Sequence, residues 1–169
     1  MAKDYSSIEE FNTALINALK GIVPNIKYSV TPSAIKMMDK VATRIGSTGM
    51  DGDGKTFSAY SEKYKRKKEK YGKAPYGTQT YFKNFNFKGA FMRDITVVDI
   101  GETESTVTKR IGFVGTTSEG KNRITHQSLY EKHSDDENRS IIKPNEKEEE
   151  YLVGLIERAL FNYLNKSLG

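Results

Sequence analysis

A chain of 169 residues has room for one domain with a real core and little space for a second. Hydrophobic residues at 36%, charged residues at 29% and a net charge of +5 at pH 7 describe an ordinary globular composition on the polar side. The absence of cysteine excludes disulfides, thiolate nucleophiles and cysteine-based zinc sites, and no apolar run approaches the roughly 20 residues needed to span a bilayer.

The opening "MAKDYSSIEEF" carries no apolar core ahead of a cleavage site, so no secretory signal is expected. The expected location is a cytoplasm-like compartment or a particle assembled there. In "SSIEEFNTALINALKG", Ile8, Phe11, Leu15, Ala18, Leu19 and Ile22 recur at helical spacing. Ser7 and Glu10 form a capping box, and Gly21 with Pro24 predicts the end of this first helix. A second helix is predicted from Thr31 and Pro32, with Ile35, Met38, Val41, Ala42 and Ile45 as its apolar stripe and Gly46 as its stop. The glycine-rich "STGMDGDGK" then reads as a loop over about 46–56.

The segment 55–73, around a third predicted helix at about 58–70, holds the chain's excess charge. Lys55, Lys63, Lys65, Arg66, Lys67, Lys68, Lys70 and Lys73 are opposed there only by Glu62 and Glu69, and the remainder of the chain is close to neutral. From Tyr81 the pattern changes. Phe85, Phe87 and Phe91 suggest a short strand interrupted by Gly89, and "RDITVVDIG" with "STVTKRIGFVG" reads as an antiparallel hairpin turning at "GETE". Ile95 and Val97 alternate with Thr96, Val98 and Ile100, so both faces of that hairpin are partly apolar and one is expected to contact a neighbour. Residues 116–140 are polar and nearly patternless: a functional loop, a disordered segment, or a short helix that periodicity does not resolve. A long C-terminal helix follows, capped by Asn145 and Glu148, with Tyr151, Leu152, Leu155, Ile156, Ala159, Leu160, Tyr163 and Leu164 along one side. The predicted class is α+β, a single domain over 1–169 whose antiparallel sheet packs against N-terminal helices and a long C-terminal helix. The loops at 46–56 and 116–140 are expected to be mobile.

Chemistry leaves few traces. His126 and His133 are the only histidines, and two turns of helix would align them with Glu131, Asp135 or Asp136 for a metal-dependent hydrolase. Two solvated loop histidines are the simpler expectation. Asp51, Asp53 and Glu62 imitate a calcium loop, but Lys55 stands where an oxygen ligand belongs and Thr56 where glycine makes the turn. "GMDGDGKT" matches the bare phosphate-loop pattern, yet a helix precedes it and two aspartates would face the phosphates. No serine sits in a nucleophile elbow. No catalytic site, metal or cofactor is expected. On the basic helix, Lys63, Lys65, Arg66, Lys67, Lys68 and Lys70 are candidate contacts for a second subunit or for DNA. Tyr60, Tyr64 and Tyr71, with Phe87, Phe91 and Met92, are candidate packing anchors.

Three segments in order resemble the phage tail-completion family, also called head–tail joining or virion-morphogenesis proteins. "FSAYSEKYKRKKEKYG" is similar to a family segment through Phe57, Tyr60, Ser61, Tyr64, Lys68 and Gly72. "FNFKGAFMRDITVV" matches at Phe87, Gly89, Met92, Ile95 and Val97, with Lys88 in place of the usual Thr or Ser. "RSIIKPNEKEEEYLVGLIERAL" contributes Arg139 and the cap at Asn145, with Ser140-Ile141 in place of the usual Pro-Phe. The resemblance covers roughly residues 30–165. It implies a structural protein of a tailed-phage virion that forms a homo-oligomeric ring at the neck, between the portal or its adaptor and the tail tube or tail terminator, near DNA and away from any membrane. The competing expectation is a nucleic-acid-binding module using the basic helix 58–73.

Overall fold

The computed structural model describes residues 4–72, 79–85, 91, 94–103, 106–119 and 122–168. Its helices are α1 (Ile8–Thr48), α2 (Glu62–Tyr71), α3 (His126–Glu137) and α4 (Glu146–Leu168). The strands are β1 (Ile95–Glu102), β2 (Val107–Phe113), β3 (Thr116–Glu119) and β4 (Asn122–Thr125), paired as two antiparallel hairpins. The fold is α+β, with the N-terminal helix and the C-terminal helix packed on the β1–β2 sheet.

The two N-terminal helices predicted from the sequence are one. α1 runs unbroken for 41 residues through Pro24 and Pro32. Each proline removes an N–H, from the carbonyl of Lys20 and from that of Tyr28, and both are exposed positions where water can replace it. Side chains help close by. The Asn25 amide donates to the Gly21 carbonyl at 3.0 Å, and the Ser29 hydroxyl donates to that of Ile26 at 2.9 Å. Gly21 does not stop the helix; it is a notch. A Cβ there would lie 1.7 Å from the Tyr163 hydroxyl of α4, which reaches across to donate to the Ala18 carbonyl at 3.1 Å. The helix ends at Gly49, in the left-handed region at φ 65°, whose N–H donates to Ile45 O at 3.0 Å.

α1 and α4 lie antiparallel. Tyr5 donates to the Leu168 carbonyl at one end, and Arg44 grips Glu148 at the other through Nε–Oε1 at 2.8 Å and Nη2–Oε2 at 3.0 Å. Glu148 also completes the cap of α4. It accepts from the Asn145 N–H while Asn145 Oδ1 accepts from the Glu148 N–H, both at 2.9 Å. The core gathers around the C-terminal half of α1: Met37, Met38, Val41 and Ile45 pack with Phe57, Phe85, Phe113, Ile141 and Ile142. The β1–β2 register sets Ile95 opposite Phe113 and Val97 opposite Ile111, with an irregularity between Asp99 and Gly101. Ile95 and Ile111 rest on the core. The side chains of Val98 and Ile100, assigned by the sequence to the second face, lie outside the described residues.

Residues 116–140, for which a loop, a disordered segment and a short helix were all open, form β3, β4 and α3. Helical periodicity is present in α3, but its inner row is His126, Tyr130, His133 and Glu137, polar residues that an apolar-stripe reading passes over. Of the 46–56 loop, the first residues belong to α1 and the rest folds back on itself through a bridge between Met50 and Thr56. The buried Asp51 carboxylate accepts from the N–H groups of Asp53 (3.0 Å) and Lys55 (2.8 Å) and pairs with Arg139 at 3.0 Å. Backbone donors of this loop that a phosphate would need are thus taken by Asp51.

Away from the core, the N-terminal half of α1 is covered along one side by the C-terminal part of α4. Ala18 is buried there, but Ile8 is 76% exposed, and Phe11, Ile16, Leu19 and Val23 also face solvent. On α4, Val153 and Phe161 are exposed, Phe161 by 65%.

Candidate functional site

The basic helix α2 is shorter than predicted. It opens at Ser61, whose hydroxyl accepts from the Tyr64 N–H, and closes at Gly72, whose N–H donates to the Lys68 carbonyl at 2.7 Å. Glu62 in its first turn and Lys68 and Lys70 in its last complement the helix dipole. Lys63, Arg66, Lys67 and Lys70 share its solvent side. Lys65 is half-buried and paired with Glu62 at 2.6 Å.

Lys68 departs from the expected outward strip. It is 0% exposed, with its ammonium 2.6 Å from Asn84 Oδ1, 2.6 Å from the Gln79 carbonyl and 4.6 Å above the Tyr60 ring. Burial lowers its pKa from 10.5 to about 8. The Tyr60 hydroxyl donates to the same Asn84 Oδ1 at 3.0 Å and accepts from the Asn84 and Phe85 N–H groups, both at 3.1 Å. Burial raises the Tyr60 phenol above its ordinary range. Phe85 sits at φ 55°, a conformation that costs a non-glycine residue on the order of 1 kcal/mol. Tyr60 on its N–H and an edge contact with Phe57 at 4.9 Å fix it there. Tyr60 and Lys68 are therefore the struts that bind α2 to segment 79–85.

The other anchors divide. Phe91 stacks on Phe113 at 4.6 Å, as an anchor should. Tyr64 leans on Tyr60 at 4.9 Å but is 36% exposed, and what burial it has raises its phenol pKa. Tyr71 is not an inward residue: it is 54% exposed, with Lys70 5.1 Å above its ring. Phe87 and Met92 lie outside the described residues.

Neither histidine is a solvated loop residue. His126 is buried, with Nδ1 against Asp94 Oδ2 and its ring edge-on to Phe91 at 5.8 Å. His133 packs on Phe85 at 5.0 Å, and burial lowers its pKa. Among the described residues, no three histidines, aspartates or glutamates are grouped so as to hold a metal ion. Polar residues that sequence reading missed tie the segments together. Burial alone would raise the Glu137 pKa, but hydrogen bonds from Lys83 (2.7 Å), the Ser58 hydroxyl and the Ser58 N–H outweigh it and hold the carboxyl low. Arg139 donates to the Thr56 carbonyl at 2.7 Å, and Arg44 donates to the Lys143 carbonyl at 2.9 Å. Only Arg139 had a signal in the sequence, through the family resemblance.

The surface as a whole carries a basic strip on α2, an exposed apolar row on α1, and a second outward face on α4 with Glu146, Glu149, Glu150 and Glu157. Compared with protein-family models, curated proteins and solved structures, the chain matches none.

Proposed function

We propose that this chain is a structural subunit of a tailed-phage virion, a neck protein that joins copies of itself into a ring between portal or adaptor and tail, and that acts by contact without catalysing a reaction. The observation that carries this reading is the uncovered apolar row of Ile8, Ile16, Leu19 and Val23 along α1. Single exposed aliphatics are ordinary, but a row of them on one helix flank is the kind of surface that another protein covers. Burying such area favours association by roughly 25 cal/mol per Å² before the costs of ordering are subtracted. The order of the three family-like segments supports the neck of a phage as the assembly.

Sedimentation velocity tests the self-association. The wild-type protein is expected to form oligomers as its concentration rises, and Ile16→Ser with Leu19→Ser is expected to leave monomers. A wild-type protein that stays monomeric at every concentration rules the reading out. In phage, removing this chain is expected to leave filled heads without tails.

One observation favours the competing reading, a nucleic-acid-binding module. Tyr71 and Tyr64 are exposed beside Lys63, Arg66, Lys67 and Lys70, where rings can stack on bases and cations can meet phosphates. That reading requires affinity for DNA that falls steeply between low and moderate salt.

A further inference from the structure

Two outward faces of one chain carry opposite charge. On α2, Lys63, Arg66, Lys67 and Lys70 project to one side, with Tyr71 exposed at the end of the row. On α4, Glu146, Glu149, Glu150 and Glu157 do the same, with Val153 exposed between Glu150 and Glu157. At 1.5 Å of rise per residue, the basic row spans about 10 Å and the acidic row about 16 Å, so the first fits within the second. The carboxylates of α4's first turn suit the helix dipole, but Glu157 lies well beyond that turn and extends the acidic row along the same side. Among the described residues, no ion pair joins Lys63, Arg66 or Lys70 to Glu146, Glu149, Glu150 or Glu157 within the chain.

From this complementarity we infer that the basic face of α2 docks on the acidic outer face of α4 in a neighbouring copy, with Tyr71 against Val153 at one end of the paired charges. The inference rests on the self-association proposed above and adds a second contact surface to the apolar row of α1. Because the two faces are different patches of one chain, the contact is head-to-tail, the kind that builds a ring when its rotation closes. An aromatic contact beside paired charges combines the apolar and polar parts of a specific contact. DNA as the occupant of α2 would leave Glu157, beyond the reach of the helix dipole, without a role, so the second copy accounts for more of the surface.

Charge reversal tests the assignment. One variant carries Lys63→Glu, Arg66→Glu and Lys70→Glu; the other carries Glu149→Lys, Glu150→Lys and Glu157→Lys. All six positions are exposed, and circular dichroism checks that each variant keeps its helices. In low salt, each variant alone is expected to associate at least about a hundredfold more weakly than wild type, because like charges then face each other. An equimolar mixture is expected to restore association, since every α2 again meets an α4 of opposite sign. Single variants that associate as wild type does overturn the inference, and so does a mixture that stays dissociated; wild-type association in the same runs shows that the broader reading survives either result. A wild-type protein that does not associate sinks both. Loss of binding to duplex DNA by the α2 variant, with its self-association intact, assigns the strip to nucleic acid and also overturns the inference.

Discussion

Lys68 enters the folded protein with an amine that water no longer reaches, and burial brings its pKa to about 8. Its two acceptors, Asn84 Oδ1 and the Gln79 carbonyl, can still accept from the neutral amine once the proton is released. Between pH 8 and 10.5 the unfolded chain therefore holds a proton there that the folded chain has released, and stability rises with pH across that window. Lys68→Met is expected to abolish this rise. Urea unfolding at pH 8 and pH 10 should show the gap between wild type and variant changing by on the order of 1–3 kcal/mol. An unchanged gap would refute the assignment. Tyr60, whose raised pKa acts in the opposite direction above its ordinary value of 10.0, sets the upper limit of the useful range. The position of Lys68 was legible: at 100° per residue it falls four after Tyr64, on the inner side of α2. Its charge hid it. Asn84, which makes the burial tolerable, left no mark in the sequence, because a lone polar residue between aromatics does not announce a partner distant in the chain.

At the scale of elements, the close approach of α1 and α4 turns on Gly21. Ala in a helix interior is favoured over Gly by about 1 kcal/mol, so Gly21→Ala would stabilise an isolated helix. Here its methyl group displaces Tyr163 and breaks the bond to the Ala18 carbonyl, and the variant is expected to be less stable than wild type. In a Tyr163→Ala background the sign is expected to invert, with Gly21→Ala gaining up to about 1 kcal/mol. Thermal unfolding of the four proteins measures this, and the same sign in both backgrounds would disprove the notch. Sequence reading took Gly21 and Pro24 as a stop because both disfavour helix locally; packing against α4 overrides them. It resolved α4 and its cap without error because a wide aliphatic stripe and a capping pair agree there. It left α3 unresolved, as one of three readings, because His126, Tyr130, His133 and Glu137 make their inward row from polar groups.

For the molecule as a whole, the class and the order of its main elements follow from alternation in β1 and β2 and from periodicity in α1 and α4. What escaped was which apolar side would stay bare. The stripe of Ile8, Phe11, Leu15, Ala18, Leu19 and Ile22 reads as a buried face, yet Ile8, Phe11 and Leu19 are exposed, since α4 is one helix and covers one side. If copies cover the remainder, melting must depend on concentration, because association stabilises only the folded form. The wild-type midpoint is expected to rise with protein concentration. That of Ile16→Ser with Leu19→Ser is expected to stay fixed, its low-concentration stability within about 0.5 kcal/mol of wild type. A wild-type midpoint indifferent to concentration would count against assembly through this surface.

The sealing of one amine among a row of open ones also makes a clock. An acylating reagent meets Lys63 and Lys70 at once, but it reaches Lys68 only when segment 79–85 lifts from α2. The modification rate at that single position, followed by peptide mass, therefore counts how often this part of the protein breathes.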